Sequence, residues 1–548
     1  MKMKFLLRRA FLAFHVLALG GMIPAKGQHQ TTVLDEPHVG ASLPYSVEIR
    51  EVSLSPAPLP NIHSVAAGMW EGHWILMAGR TNGLHGMTGQ NGFDPVYENR
   101  EVWVIDPLGR RSWRKSLESS PASGLSPDQV DSLSAVNTEF YQDDDTLFVV
   151  GGYGFKRSVN DYRTYDTLTA IDLPGLVAWV KAAPGEEATM ARDHIKQIKD
   201  SYFQVTGGSL EKMGDEFQLI FGQDYPGRYR PNFNGTYTRQ VRRFKVTLDA
   251  EGVPTVPLSS RLATPVNEFF RRRDLNVVPL VERTGLNEFE EKAVVLSGVF
   301  TPENGVWTVP VLVGAGGSVV MDPPEADDTL KQGFQVYHCA KASLYHRVTD
   351  ESHCLLLGGL TVLERNLSDG TYTRDDRVPF TNQCSVVVRD GAGQFRQYWL
   401  PTRFPLIESN GLELRFGTNA EFFPSPDLPQ LAPKVLELAS MTGEVVIGHI
   451  FGGIFADAGN SGNTGASGRV FEVVLQPLGN APHLTLFNQE LSWRPGVAGS
   501  SSYLMESSSN LRDWQEEAIG LKKTSLPLPV NPSSKRFFRV LGATVTSP

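Results

Sequence analysis

Three cysteines in 548 residues are too few for a disulfide-stapled scaffold. They are Cys339, Cys354 and Cys384, and their spacing matches no zinc pattern. Long apolar runs are equally scarce. After Ile23 nothing approaches the roughly 18 apolar residues that cross a bilayer, so no integral membrane segment is expected beyond the N-terminus. Basic charge is short as well: 51 Lys and Arg against 60 Asp and Glu leave a net charge of −9. That balance argues against nucleic acid and anionic lipid as partners. The nucleophile elbow, the H-E-x-x-H helix and the P-loop are all missing. Gly151-Gly-Tyr-Gly154 closes a strand with no helix to follow, so it is not a dinucleotide fingerprint. No cofactor is expected.

What is present begins with a targeting signature. Met1–Arg9 carries Lys2, Lys4, Arg8 and Arg9 and no acid, and Ala10–Ile23 is apolar. Ala25 and Gly27 place small residues at the −3 and −1 positions of a cleavage site. Residues 1–27 are predicted to be a signal peptide, and the mature protein to be secreted. Removing them takes away five basic residues and moves the net charge to −14.

Six apolar runs ending in glycine then punctuate the chain: Trp74–Gly79, Leu147–Gly152, Phe217–Gly222, Ala293–Gly298, Leu355–Gly359 and Val446–Gly453. Their last glycines are 73, 70, 76, 61 and 94 residues apart. A recurring unit of short strands and turns at this period signals a closed array of β-sheets. In the second unit, Ser134–Phe140, Leu147–Val150, Tyr165–Asp172 and Leu176–Val180 read as four up-and-down strands, with a turn at Asp143–Asp145. One such sheet cannot bury both faces alone and must stack on its neighbours. Pro44–Leu54 alternates before the first unit and is placed to close the ring against the last one, which removes two exposed edges.

The units resemble kelch repeats: an apolar run ending in Gly-Gly, a polar loop, a strand with an aromatic, then a Trp. The first unit shows this in Asn99–Asp106 followed by Trp113, and the sixth in part, in Phe451–Gly453. The resemblance covers roughly residues 60–478. It implies an all-β, six-bladed kelch-type propeller over 28–480, like that of exported bacterial kelch-type proteins. From about Ala481 the composition shifts toward Gly and Ser. Residues 481–548, with Tyr503, Trp514 and Arg536–Val540, resemble a small β-sandwich-like module found at the C-terminus of exported bacterial proteins.

In such a ring the starts of the inner strands surround the axis. This nominates Glu139, Arg272, Arg273, Asp274, Asn276, His338 and Glu421, and the loops after the glycines add Arg80, His85, Tyr153, Arg157, Gln223 and Tyr225. Arginine forks suit carboxylates, and tyrosines stack on sugar rings. The expected role is recognition of an extracellular carbohydrate or protein through loops at one mouth. A second reading is a carbohydrate-active enzyme of the sialic-acid mutarotase kind, using an arginine-rich funnel for acid–base work. A copper-radical oxidase would draw on Tyr337, His338, Cys339, Tyr345 and His346, and a purely structural surface role completes the set. Cys354 and Cys384 fall on consecutive strands, which leaves open a disulfide between them or three small buried hydrophobes.

Overall fold

The computed structural model describes residues 33–39, 43–86, 93–230, 233–285 and 288–478, together with the backbone of six strands between 484 and 544. The predicted signal peptide lies outside the described residues.

Six sheets follow one another along the chain, each built on four antiparallel strands; the fifth gains two further strands at its inner edge and the sixth one more. Their inner strands are Ala66–Trp70, Glu139–Asp143, Ser209–Met213, Asn276–Arg283, Ala340–His346 and Arg415–Pro424, in blades 1 to 6. Blade 6 takes its outermost strand from the other end of the chain. Tyr45–Val52 pairs antiparallel with Val470–Pro477, from Tyr45 opposite Pro477 to Val52 opposite Val470. Its alternation explains why it fits there: Tyr45, Val47 and Ile49 are buried, and Ser46 and Glu48 face out. The expected ring closure is therefore present, and the fold is a six-bladed all-β propeller.

Each junction between blades is sealed by its own apolar cluster. Between blades 6 and 1, for example, Trp74 stacks on Phe423 with ring centroids 4.7 Å apart, and Trp103, Ile105 and Phe451 pack around them. The second strands, buried on both faces, are the continuous apolar runs seen in the sequence. Their terminal glycines have a steric cause. Gly151 has φ 61°, and a Cβ there would sit 2.0 Å from the carbonyl oxygen of Val205 in the next blade.

Two expectations are corrected. Leu176–Val180 is not a strand but part of a helix, Leu173–Lys181, and the fourth strand of blade 2 is Ile195–Lys199. The reason lies in the period: Leu173, Leu176, Val177 and Val180 are buried at helical spacing, and Pro174 opens the first turn. The cysteines are all free and buried. Cys354 pairs with Val387, whereas Cys384 pairs with Leu357, so the two cysteines stand three positions out of register. At about 3.3 Å per residue, that offset is beyond disulfide reach.

Beyond the propeller, Leu484–Phe487, Glu490–Trp493 and Ser525–Pro527 form one three-stranded sheet, and Gln515–Leu521, Ser500–Ser508 and Phe537–Thr544 form another. Tyr503 lies on the central strand of the second sheet. Trp514 and Arg536 lie outside the described residues.

Candidate functional site: the axial chamber

Six inner strands that begin around one axis leave backbone groups at their starts with no strand partner on the channel side, and those groups must find partners elsewhere. Here they find one another. The six residues are Ser64, Asn137, Gly207, Asp274, His338 and Asn419. Ser64 N–H donates to Asn419 O (3.3 Å), Gly207 to Asn137 (3.0 Å), Asp274 to Gly207 (2.7 Å), His338 to Asp274 (2.9 Å) and Asn419 to His338 (3.0 Å). Five of them share a left-handed backbone: Ser64, Asn137, Gly207, Asp274 and Asn419 have φ of 54°, 49°, 70°, 50° and 50°. Gly, Asn and Asp tolerate this conformation best, which explains most of the residue types. Side chains reinforce the ring: Asn419 Nδ2 donates to Ser64 Oγ (2.9 Å) and Asn137 Nδ2 to Asp274 Oδ1 (3.0 Å).

The ring divides the axis. On its loop side, the side chains nominated from the sequence are packed together. Arg80 lies against the Phe93 ring and donates to Asn82 Oδ1 (3.1 Å) and Asp94 O (3.0 Å). His85 stacks on Phe93, and burial pushes its imidazole down to about 4. The Tyr153 hydroxyl donates to Gly227 O (2.8 Å), and Tyr225 is buried against Tyr153 and Phe233. Gln223 pairs through its backbone with Thr206 and Tyr237. Arg157 bonds Glu98 and Asp131 (3.2 and 2.6 Å). Arg272 is fully buried and donates to the carbonyls of Phe269, Ser297 and Val309. Arg273 reaches the hydroxyls of Tyr237 and Tyr229 (both 3.2 Å) and Asp274 Oδ2 (2.8 Å). Asn276 clips blade 4 to blade 5 through Gln335 O, Tyr337 O and the N–H of Cys339.

The other side of the ring holds a chamber of about 430 Å³, within the size range of small-ligand sites. Glu139, Asp274, His338 and Glu421 border it, as does Glu211, Lys341 and Lys434, which the sequence reading passed over. Glu139 accepts from the Gly208 N–H at 2.7 Å through one carboxyl oxygen, and its other oxygen is buried without a partner. Burial raises this carboxyl to about 8, and Glu421 to about 7. Burial raises Glu211 too, opposed through space by Lys434 and Lys341. His338 is driven well below its ordinary value by burial and by the Lys341 ammonium, which donates to its Nε2 at 2.8 Å. Among the described residues no ion pair joins these three glutamates to these two lysines; His338 Nε2 lies 4.0 Å from Glu421 Oε1. Tyr345 and His346 lie at the far end of their strand, the Tyr345 hydroxyl on Asp350, and the described residues contain no cluster of three or more metal-type ligands.

Glu211 sits within the third inner strand and Lys341 within the fifth; Lys341 stands at an odd offset from His338, so period-two alternation counted from that residue would have placed it on the opposite face. Lys434 had only one signal, the unusual length of the sixth unit.

The molecule is thus a six-bladed propeller with a polar chamber on its axis. No family profile and no curated protein matches the chain. Among solved structures it is similar to YjhT, with 10% identity over 77% of this chain and 100% of that one, TM-score 0.38. It is also similar to CoXyl43, a GH43 β-xylosidase/α-arabinofuranosidase from a compost microbial metagenome in complex with xylotriose (8% identity, 66% and 98% coverage, TM-score 0.31). A third is RS223-β-xylosidase (8%, 65% and 99%, TM-score 0.29). The blade count rests on the strand pairings described above.

Proposed function

We propose that this protein binds a small polyhydroxylated ligand, a carbohydrate, in the axial chamber. One observation carries the reading: inward-facing carboxyl and ammonium groups share a buried volume without pairing with one another. Buried polar groups normally have partners, so the Glu139 oxygen left without one marks a place where a ligand supplies it. A ring of hydroxyls, each both donor and acceptor, meets carboxyls and ammonium groups alike. The seat is the chamber rather than the loop-side mouth, where Arg80, Arg157, Arg272 and Arg273 all have protein partners. The export signature in residues 1–27 supports an extracellular ligand.

Saturation-transfer NMR with a panel of hexoses, uronates and N-acetylated sugars tests the proposal. Transfer to at least one sugar, lost in Glu139→Gln, is the expected result. Equal transfer in both proteins would place the sugar outside the chamber.

A second reading, a carbohydrate-active enzyme, is favoured by the pairing of a carboxyl held protonated at neutral pH, Glu139, with one poised near neutrality, Glu421. Such a pair suits proton transfer at a sugar's ring oxygen and anomeric hydroxyl. Exchange spectroscopy of the bound sugar reads it directly: anomer interconversion faster than in buffer, and slowed in Glu421→Gln.

A further inference from the structure

Blade 6 departs from the other five between its first and second strands. Residues 425–444 there do not make a tight turn but fold back into the channel. Val435–Glu437 pairs in parallel with the inner edge of blade 5, Ser343 opposite Val435 and Tyr345 opposite Glu437. Gln430–Ala432 pairs with Val435–Glu437 in turn. Val435 and Leu436 are buried, and Arg347 Nε donates to Glu437 Oε1 at 2.7 Å. The hairpin is therefore a fixed part of the wall. The chamber residues that reach solvent, Asp144, Gln430, Pro433 and Lys434, all lie at this end of the axis.

Its tip is Pro433–Lys434. Lys434 has φ 64°, where Gly or Asn is the ordinary choice. Its N–H is held by Gln430 Oε1 at 2.9 Å. Its ammonium lies 5.0 Å from the centroid of the Tyr141 ring, across the chamber, and acts on Glu211 and Glu421 only through space. Strained conformations of this kind persist where their surroundings over-determine them, and they cluster at ligand sites.

We propose that Lys434 is a ligand-contacting, specificity-determining residue of the chamber, its ammonium taking an oxygen-rich group of the ligand, vicinal hydroxyls or a carboxylate, at the hairpin-side opening. This rests on the chamber being the ligand seat. It also points to a route of access: the exposed residues of the chamber wall lie at the hairpin end, so the ligand passes Pro433 and Lys434.

The test is calorimetric titration of the full chain with D-galactose and D-galacturonate, which share a ring and differ at one carbon. Wild type is compared with Lys434→Gly, Lys434→Arg and Glu139→Gln. The expected result is an affinity loss of about tenfold in Lys434→Gly, with a Tm at or above wild type, and near-complete retention in Lys434→Arg. A larger loss for galacturonate assigns the carboxylate, and an equal loss assigns the hydroxyls. If Lys434→Gly binds within about twofold of wild type while Glu139→Gln does not bind, the inference falls and the chamber stands. If wild type binds neither sugar, or neither Lys434→Gly nor Glu139→Gln changes the affinity, both fall.

Discussion

The two ends of the axis are built from similar residues and put them to opposite use. On the loop side, arginines, tyrosines and carboxyls are matched, and even the buried Arg272 has three carbonyls for its guanidinium. On the hairpin side, Glu139, Glu211, Glu421, Lys341 and Lys434 face one volume without an ion pair among them. Matched polar groups hold a fold together, and the proposed ligand seat is where charged groups are not ion-paired with one another. Counting charged residues near a propeller mouth therefore says little about function until their partners are known.

Substitutions at the two ends sharpen this contrast. The largest effect is expected from Arg272→Ala, which strands three buried carbonyls and should cost about 3 kcal/mol or more, read by denaturant unfolding. Loss of sugar binding without loss of stability would break the comparison. The next concerns pH. Glu139 has an unfolded value of 4.5 and a folded value of about 8, so the folded state holds the proton longer. Its contribution is fully present below pH 4.5 and is lost as pH rises toward 8. Stability should fall across that window, and Glu139→Gln should recover on the order of 2 kcal/mol at pH 8. A Glu139→Gln profile as steep as wild type would mean that the carboxyl already has a partner. Asn137→Ala, in the ring itself, should cost about 2 kcal/mol, split between left-handed strain and the lost bond to Asp274. Asn137→Gly should restore roughly half, because glycine relieves the strain and not the bond. Smallest is Lys434→Gly, expected to stabilise by about 0.4–1 kcal/mol in thermal melts. Destabilisation there would make the lysine a strut.

Much of the frame was readable in the chain. The glycine pairs stand where backbones of adjacent blades meet, and Gly151, Gly152, Gly358, Gly359, Gly452 and Gly453 all have positive φ. The closing strand announced itself by alternation from Tyr45. The 94-residue spacing before Gly453 was the trace of the axial hairpin, though nothing in residues 425–444 says that they turn inward. The site was half legible. Glu139, Asp274, His338 and Glu421 were identified at strand starts because the propeller places such starts on the axis. What stayed hidden was which polar side chains were already matched. Arg272 and Arg273 are neighbours in sequence, yet one meets backbone carbonyls, a methionine sulfur and the Trp307 ring within blade 4, and the other meets tyrosine hydroxyls of blade 3 and Asp274. Most of these partners stand 25 to 49 residues away, and no local pattern encodes them.

The pairing of Tyr45–Val52 with Val470–Pro477 also orders events in time. A chain made from its N-terminus holds its first strand ready for more than four hundred residues before the partner exists. Until then blade 6 has no outer strand, and the flanks of blades 1 and 6 that later pack together stay bare. Such long-range contacts carry a high loop-closure cost and are slow to form. The ring therefore cannot close until its last blade is complete.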